Sequence, residues 1–315
     1  MKLALPMRRA DELAPRLRAL LPDATWVTVA PTGEVQGDGA GVEVWLWGFT
    51  RSSTSRVIAQ LPDLRWIHTV SAGVNQVIVP ELAERGILLT NSAGAYARPI
   101  AESVIGYILA VAKQLPRQLR NQERAIWQPA AQEELPGMTL GVLGLGSIGR
   151  TSASLARAFG MRTIGTVRHP RELPEVDRVY PATEAAEVAA ESDFLLVAAP
   201  CTRETEHLVD EALLRRMKPG AWLINIARGC LVDEMALLAA LEEGRIGGAC
   251  LDVFEQEPLP PESPLWRLPN VIITPHNSGW TRQAMARATD MFFDNLRRYV
   301  AGEPLHNIVD QAAGY

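Results

Sequence analysis

TLGVLGLGSIGR, residues 139–150, is the segment from which the architecture can be read. Residues 140–143 are aliphatic and strand-like, Gly144-Leu145-Gly146-Ser147-Ile148-Gly149 follows without a break, and Ala153, Leu155, Ala156 and Phe159 then recur at helical spacing. A strand that runs through G-x-G-x-x-G into a helix turns tightly and leaves backbone N–H groups at the helix start open to a pyrophosphate. Glycines at this spacing also suit plain packing of a helix on a strand, so the surroundings carry the argument. Downstream, β-branched and aliphatic runs at 163–167, 194–199, 222–226, 249–253 and 271–274 start about 22 to 31 residues apart, with helix-like stretches between them. That is the rhythm of βα units laying down a parallel sheet, and six strands make a complete dinucleotide-binding sheet. The punctuation agrees: Asp210 precedes Leu213, Leu214 and Met217, and Asp233 opens a stretch that Gly244 closes.

Upstream the same theme is weaker. Apolar runs at 3–5, 26–29, 42–47, 66–70 and 87–89 alternate with polar or Pro-containing segments, which predicts a second, smaller α/β domain. Ile100, Val104, Ile108, Val111, Ala112 and Leu115 fall near one helical face behind Pro99, so a long connecting helix is expected over 99–115, followed by a loop over 128–137. Residues 281–300 read as a terminal helix with Ala284, Ala288, Met291 or Phe292, and Leu296 facing inward. The expected division is a discontinuous domain of residues 1–95 and 281–315 and a nucleotide-binding domain of residues 96–280.

Composition narrows the function classes. A chain of 315 residues and 34.4 kDa, 47% hydrophobic and 21% charged, with a mean hydropathy of +0.01, has material for about two packed domains and is not disordered. Its 31 Lys+Arg against 36 Asp+Glu, a net charge of −5, leave no basic field for a phosphate backbone, so nucleic acid is not an expected partner. The apolar stretch 3–7 is broken by Pro6, and 104–112 is about half the roughly 18 residues of a membrane span, so neither an export signal nor a membrane anchor is expected. Cys201, Cys230 and Cys250 are an odd set without C-x-x-C spacing, which predicts no disulfide framework, no metal site and a reducing cytoplasm.

Five blocks, 91–113 (NSAGAYARPIAESVIGYILAVAK), 135–150 (LPGMTLGVLGLGSIGR), 217–234 (MKPGAWLINIARGCLVDE), 251–258 (LDVFEQEP) and 269–281 (PNVIITPHNSGWT), together resemble the D-isomer-specific 2-hydroxyacid dehydrogenases. The resemblance covers nearly the whole chain after Arg65, while the first 60 residues match only in layout. It implies two doubly wound parallel-sheet domains, a Rossmann dinucleotide-binding domain inserted in a smaller flavodoxin-like substrate domain, and a homodimer. The family's catalytic positions fall on Arg228, Glu257 and His276. Their chemistry stands on its own: the planar fork of an arginine suits the carboxylate and carbonyl of a 2-oxo acid, and an imidazole can protonate the carbonyl oxygen as hydride arrives at carbon. A carboxylate on the other ring nitrogen orients the imidazole and stabilises its charged form. Taken singly, an Arg after a strand, a Glu before Pro and a His at a strand end are ordinary surface or structural residues. Their joint appearance after successive strands, at the edge where doubly wound sheets bind ligands, makes them one unit. His68, His169, His207 and His306 lack that setting and read as structural, and Cys230 reads as a small packing residue.

The resemblance further places cofactor contacts at Gly144, Gly146, Ser147, Ile148, Gly149, Pro200, Ala227, Asp252 and Gly279, with Asp252 accepting from the nicotinamide carboxamide or serving as a cap. Ser71, Ala72, Gly73 and Val74 match the family's carboxylate-binding loop, whose successive N–H groups form an anion nest, and Trp47 and Trp280 are candidate walls of the substrate cavity. NAD-preferring relatives carry Asp or Glu where Val167 stands here, and Arg168-His169-Pro170-Arg171 follows. Arg168, with Arg171 second, suits a 2′-phosphate, so NADP is the expected cofactor and NAD the alternative. The expected reaction is reduction of a small 2-oxo acid, such as glyoxylate or hydroxypyruvate, to the D-2-hydroxy acid. Alternatives are phosphite oxidation within the same family and a dinucleotide-sensing, corepressor-like interaction protein. The formate branch is disfavoured by Glu257, where its pattern has Gln, and the lack of basic or low-complexity segments favours the enzyme.

Overall fold

Aliphatic runs too apolar to leave either face in water settle as parallel strands covered on both sides. The computed structural model describes residues 1–48 and 54–311. The chain divides into two compact units, Met1–Ala95 with Thr281–Tyr315, and Tyr96–Trp280.

The first unit begins with β1 (Lys2–Pro6), α1 (Ala10–Leu20), β2 (Thr25–Val29), β3 (Val35–Gln36), β4 (Val42–Trp47), α2 (Thr54–Ile58), β5 (Trp66–Thr69), α3 (Pro80–Glu84) and β6 (Leu88–Thr90). Its sheet runs β3-β2-β1-β4-β5-β6, parallel except for the two-residue β3, which is the flavodoxin-like order with a short antiparallel edge. Trp47, expected as a cavity wall, is instead 2% exposed and packs in the core with Val57, Ile58, Leu61 and Ile67. β4 sits inside the sheet between β1 and β5, and Val57 and Ile58 of α2 pack over the face that Trp47 occupies.

The second unit holds α4 (Ala97–Ala112), α5 (Leu115–Glu123), β7 (Thr139–Leu143), α6 (Ser147–Ala158), β8 (Arg162–Val167), β9 (Arg178–Pro181), α7 (Ala185–Glu191), β10 (Phe194–Val197), α8 (Glu211–Arg216), β11 (Trp222–Asn225), α9 (Glu234–Glu242), β12 (Gly248–Leu251) and β13 (Val271–Ile273). All are parallel in the order β13-β12-β11-β10-β7-β8-β9, so the direction of winding reverses between β7 and β10, beside the glycine turn. Every residue of β7, β10 and β12 is buried, each large aliphatic side chain contributing about 1.5–3 kcal/mol. The sheet has seven strands rather than the expected six. The additional β9 is an edge strand, RVYP, whose polar and proline positions hide it from a search for aliphatic runs. The expected single helix over 99–115 is two: Pro116 cannot extend the ladder of α4, and the chain turns through Gln114 at φ 55° before α5 starts.

The chain then returns to the first unit as α10 (Arg282–Ala301), capped by Thr281, whose hydroxyl accepts from Ala284 N at 3.1 Å. Asp210 accepts from Leu213 N at 2.8 Å, and Asp233 from the amides of Met235 and Ala236 at 3.0 Å, each cap stabilising its helix by about 1 kcal/mol. Ala284, Ala288, Phe292 and Leu296 form the buried stripe of α10, and the Phe292 ring stacks 5.9 Å from Trp66.

Candidate active site

The three glycines after β7 do different work. Gly144 has φ +105°, and a Cβ there would lie 2.6 Å from Ala199 N. A Cβ on Gly149 would lie 2.2 Å from Gly144 O and 2.9 Å from Val142 Cγ1, so α6 packs on β7 only without one. Gly146 faces open space and is exposed, leaving room for a pyrophosphate against the backbone. The first N–H groups of α6, at Ser147 and Ile148, have no acceptor in their own helix and point to the same place. The cradle therefore fits a dinucleotide. At the end of β8, Val167 is followed by the exposed Arg168 and Arg171, and Arg168 Nη2 lies 3.7 Å from Glu204 Oε2. Pro200 begins the turn that carries Glu204, closed by Thr205, whose hydroxyl donates to Pro200 O at 2.6 Å.

Arg228 follows β11 in a turn fixed by buried Asn225, whose Nδ2 donates to Arg228 O at 3.0 Å and whose Oδ1 accepts from Ala227 N at 3.1 Å. The guanidinium is half-buried and donates to Ala227 O at 2.6 Å. Burial pushes its pKa below the ordinary arginine value, and the charge of Glu257 acts in the opposite sense. Glu257 follows β12; its Oε1 accepts from Phe254 N at 3.1 Å and its Oε2 lies 2.7 Å from His276 Nδ1. A carboxylate only accepts, so Nδ1 carries the proton and Nε2 is the nitrogen left for exchange. The Glu257 loop is clasped to the start of α9: Glu255 N donates to Glu234 Oε1 at 2.6 Å and Glu234 N to Glu255 Oε1 at 3.2 Å. Burial raises the Glu234 carboxyl above its ordinary pKa, against the lowering effect of the Glu255 N–H.

His276 sits at φ 50°, a left-handed conformation that a non-glycine residue holds only when its surroundings impose it. Asp252 imposes it. The carboxylate is 1% exposed; Oδ1 accepts from Thr274 Oγ1 at 2.5 Å and Asn277 N at 3.0 Å, and Oδ2 from Ser278 N at 3.1 Å and Ser278 Oγ at 2.5 Å. Its own carbonyl accepts from His276 N at 2.8 Å. Four donors converge on this carboxylate, so Asp252 clamps the loop that carries His276. Behind it, Tyr107 of α4 lies 2.6 Å from Thr274 Oγ1, and burial pushes its phenol up to about 12. Thr274, Ser278 and Tyr107 are the site-supporting residues that sequence reasoning missed. The hydroxyl-rich TPHNS run was a signal for the first two; Tyr107 lies 167 residues from Thr274 and gave none.

The structure brings Arg228, Glu257, His276 and Asp252 to one edge of the second unit, after β11, β12 and β13. Gly279 and Trp280 follow the His276 loop, Trp280 with 75% of its surface exposed. Residues 71–74 belong to the first unit and follow β5. There Ser71 Oγ donates to Gly73 O at 2.7 Å, and Asn91 Nδ2 to Ala72 O at 2.9 Å, while Val74 is buried. His68 beneath this turn is fully buried between Thr90 Oγ1 at 2.7 Å and Ser92 Oγ at 3.2 Å, and burial pushes its pKa down to about 3. Cys201 and Cys230 are joined as a disulfide, contrary to the expectation of unpaired cysteines, and both pack against the core of the second unit, Cys230 as expected. Twenty-nine residues separate them in sequence, but they lie beyond the ends of adjacent strands β10 and β11. Among the described residues no helix is long and apolar enough to cross a membrane, and no cluster of three metal-ligating side chains occurs.

Residues 105–278 match the family described as D-isomer specific 2-hydroxyacid dehydrogenase, NAD binding domain. The chain is 35% identical over 263 residues to the glyoxylate reductase of Korarchaeum cryptofilum, covering 82% of this chain and 79% of that protein. It resembles the crystal structure of a D-isomer specific 2-hydroxyacid dehydrogenase from Xanthobacter autotrophicus Py2 in complex with NADPH and MES, with a TM-score of 0.88 and 32% identity over 100% of this chain and 99% of that one. The NADPH-dependent glyoxylate/hydroxypyruvate reductase of Sinorhizobium meliloti, in complex with NADP and sulfate, gives a TM-score of 0.87 at 27% identity, covering 100% and 99% of the two chains. With its sheet order, its glycine cradle and these matches, the chain belongs to the D-isomer-specific 2-hydroxyacid dehydrogenases.

Proposed function

We propose that the protein reduces a small 2-oxo acid of the glyoxylate or hydroxypyruvate type to the D-2-hydroxy acid, with NADPH. The observation that carries this reading is the 2.7 Å contact of Glu257 Oε2 with His276 Nδ1, which fixes the ring and turns Nε2 to proton delivery. The bound dihydronicotinamide supplies the hydride. As charge develops on the carbonyl oxygen, His276 Nε2 donates its proton there, and Glu257 stabilises the imidazolium from which it comes. Arg228, half-buried, holds the carboxylate and polarises the carbonyl more strongly than an exposed arginine would. The amides of Ala72, Gly73 and Val74 serve as the anion nest of the substrate domain, while the Ser71 N–H donates to Thr69 Oγ1 at 3.2 Å.

Arg168 is the proposed 2′-phosphate ligand, with Arg171 beside it in sequence; Val167 in place of an acid removes the group that repels that phosphate. The neighbours solved with NADPH or NADP support this preference. The homodimer reading is supported by α5, which has no buried residue and exposes Leu115 and Leu119, with Ile126 and Trp127 exposed just beyond it. A cytoplasmic setting supplies the cofactor. Incubation with NADPH should convert glyoxylate to glycolate or hydroxypyruvate to D-glycerate, the latter identified by chiral chromatography; L-glycerate, or neither product, overturns the reading.

A further inference from the structure

Each of Cys201 and Cys230 lies just beyond the carboxyl end of its strand, and because β10 and β11 are hydrogen-bonded neighbours, both arrive at the edge that carries the nucleotide cradle. Their Cα atoms are 6.5 Å apart. Both residues are half-buried and so within reach of small thiols, whereas Cys250, the remaining cysteine, is buried and its thiol pKa is pushed up by that burial. The turn at 200–205 is compact in itself, Thr205 Oγ1 accepting from Thr202 N at 2.8 Å, and it carries Glu204 beside Arg168. Cys230 comes two residues after Arg228, and its carbonyl accepts from His207 N at 2.8 Å. The sulfur–sulfur bond thus ties the turn at the cofactor cradle to the turn that presents Arg228.

We propose that Cys201 and Cys230 form a thiol–disulfide exchange site whose reaction partner is a low-molecular-weight disulfide of the glutathione class, and that its oxidation state sets the affinity for NADPH. The thiolate of one cysteine attacks glutathione disulfide, forming a mixed disulfide and releasing one glutathione. The second thiolate attacks the protein sulfur of that mixed disulfide, forming the Cys201–Cys230 bond and expelling the second glutathione. Two protein thiols are oxidised, one glutathione disulfide is reduced to two thiols, and the two cysteine protons end on the two glutathiones. Excess reduced glutathione runs the exchange backwards. The bridged form holds the 200–205 turn in place before the cofactor arrives, so less ordering accompanies binding. The inference rests on the cofactor reading of Pro200 and Arg168 and not on the identity of the substrate.

The test uses the full chain equilibrated with dithiothreitol or with glutathione disulfide, freed of reagent, alkylated in denaturant and weighed intact. Three alkyl groups are expected after dithiothreitol and one, on Cys250, after glutathione disulfide. Fluorescence titration should give an NADPH dissociation constant about threefold to tenfold weaker for the reduced form, and Cys201→Ser should show the weaker value in both buffers. Three alkyl groups after glutathione disulfide treatment, or one dissociation constant for both states, overturns the proposal. Binding is read without any 2-oxo acid, so failure of the proposed reaction would leave this result standing.

Discussion

At position 228 burial decides between two cations. The half-buried site penalises charge, and an arginine, the most basic of the side chains, keeps its proton despite that penalty at any working pH. A lysine in the same place starts from about 10.4 and is pushed down by the same desolvation. Arg228→Lys should therefore lose about tenfold or more in kcat/KM from the missing fork, and its activity should show an alkaline loss additional to the one it shares with the wild type through the His276 imidazolium. Superimposable pH profiles would mean that the charge at 228 is not used. Position 168 works by contact with solvent on one side: Arg168→Ala should lower kcat/KM for NADPH about tenfold to a hundredfold and leave NADH nearly unchanged, as the loss of a charge-assisted bond of about 1.5–3 kcal/mol predicts. Parallel losses with both cofactors would place the arginine outside the 2′-phosphate site.

Among the elements, the 274–278 loop, which carries His276, is held by the buried carboxylate of Asp252. Asp252→Asn replaces an acceptor oxygen by a donor facing one of two donor pairs, either Thr274 Oγ1 with Asn277 N or Ser278 N with Ser278 Oγ. The loop should then slacken around His276, and kcat should fall about tenfold or more while the NADPH dissociation constant, read by fluorescence, holds. A matching loss of NADPH affinity would place Asp252 against the cofactor instead. The strands β7, β10, β11 and β12 were legible because central parallel strands bury both faces and leave unbroken aliphatic runs in the sequence. Edge strands obey no such demand, and β9 escaped for that reason. The glycine spacing and the positions of Arg228, Glu257 and His276 after successive strands were legible too. Of the donors on Asp252, the two backbone amides were not, since any residue supplies them.

For the whole molecule, what sequence leaves hidden is whatever strand adjacency creates. Cys201 and Cys230 meet because β10 and β11 pair, and Tyr107 reaches Thr274 across 167 residues because both pack within one unit. The same adjacency gathers a desolvated arginine, an oriented imidazole and a nucleotide cradle on one sheet edge, the place where doubly wound sheets bind ligands. The most direct measurement is the initial rate of NADPH oxidation, followed by absorbance, for wild type and His276→Ala against glyoxylate, hydroxypyruvate, pyruvate and longer 2-oxo acids. Turnover of the small acids by the wild type is expected, with kcat about 10²- to 10⁴-fold lower in the variant and NADPH binding intact. No turnover of any 2-oxo acid by a wild type that binds NADPH, or a variant within about tenfold of it where chemistry limits the rate, would contradict the account.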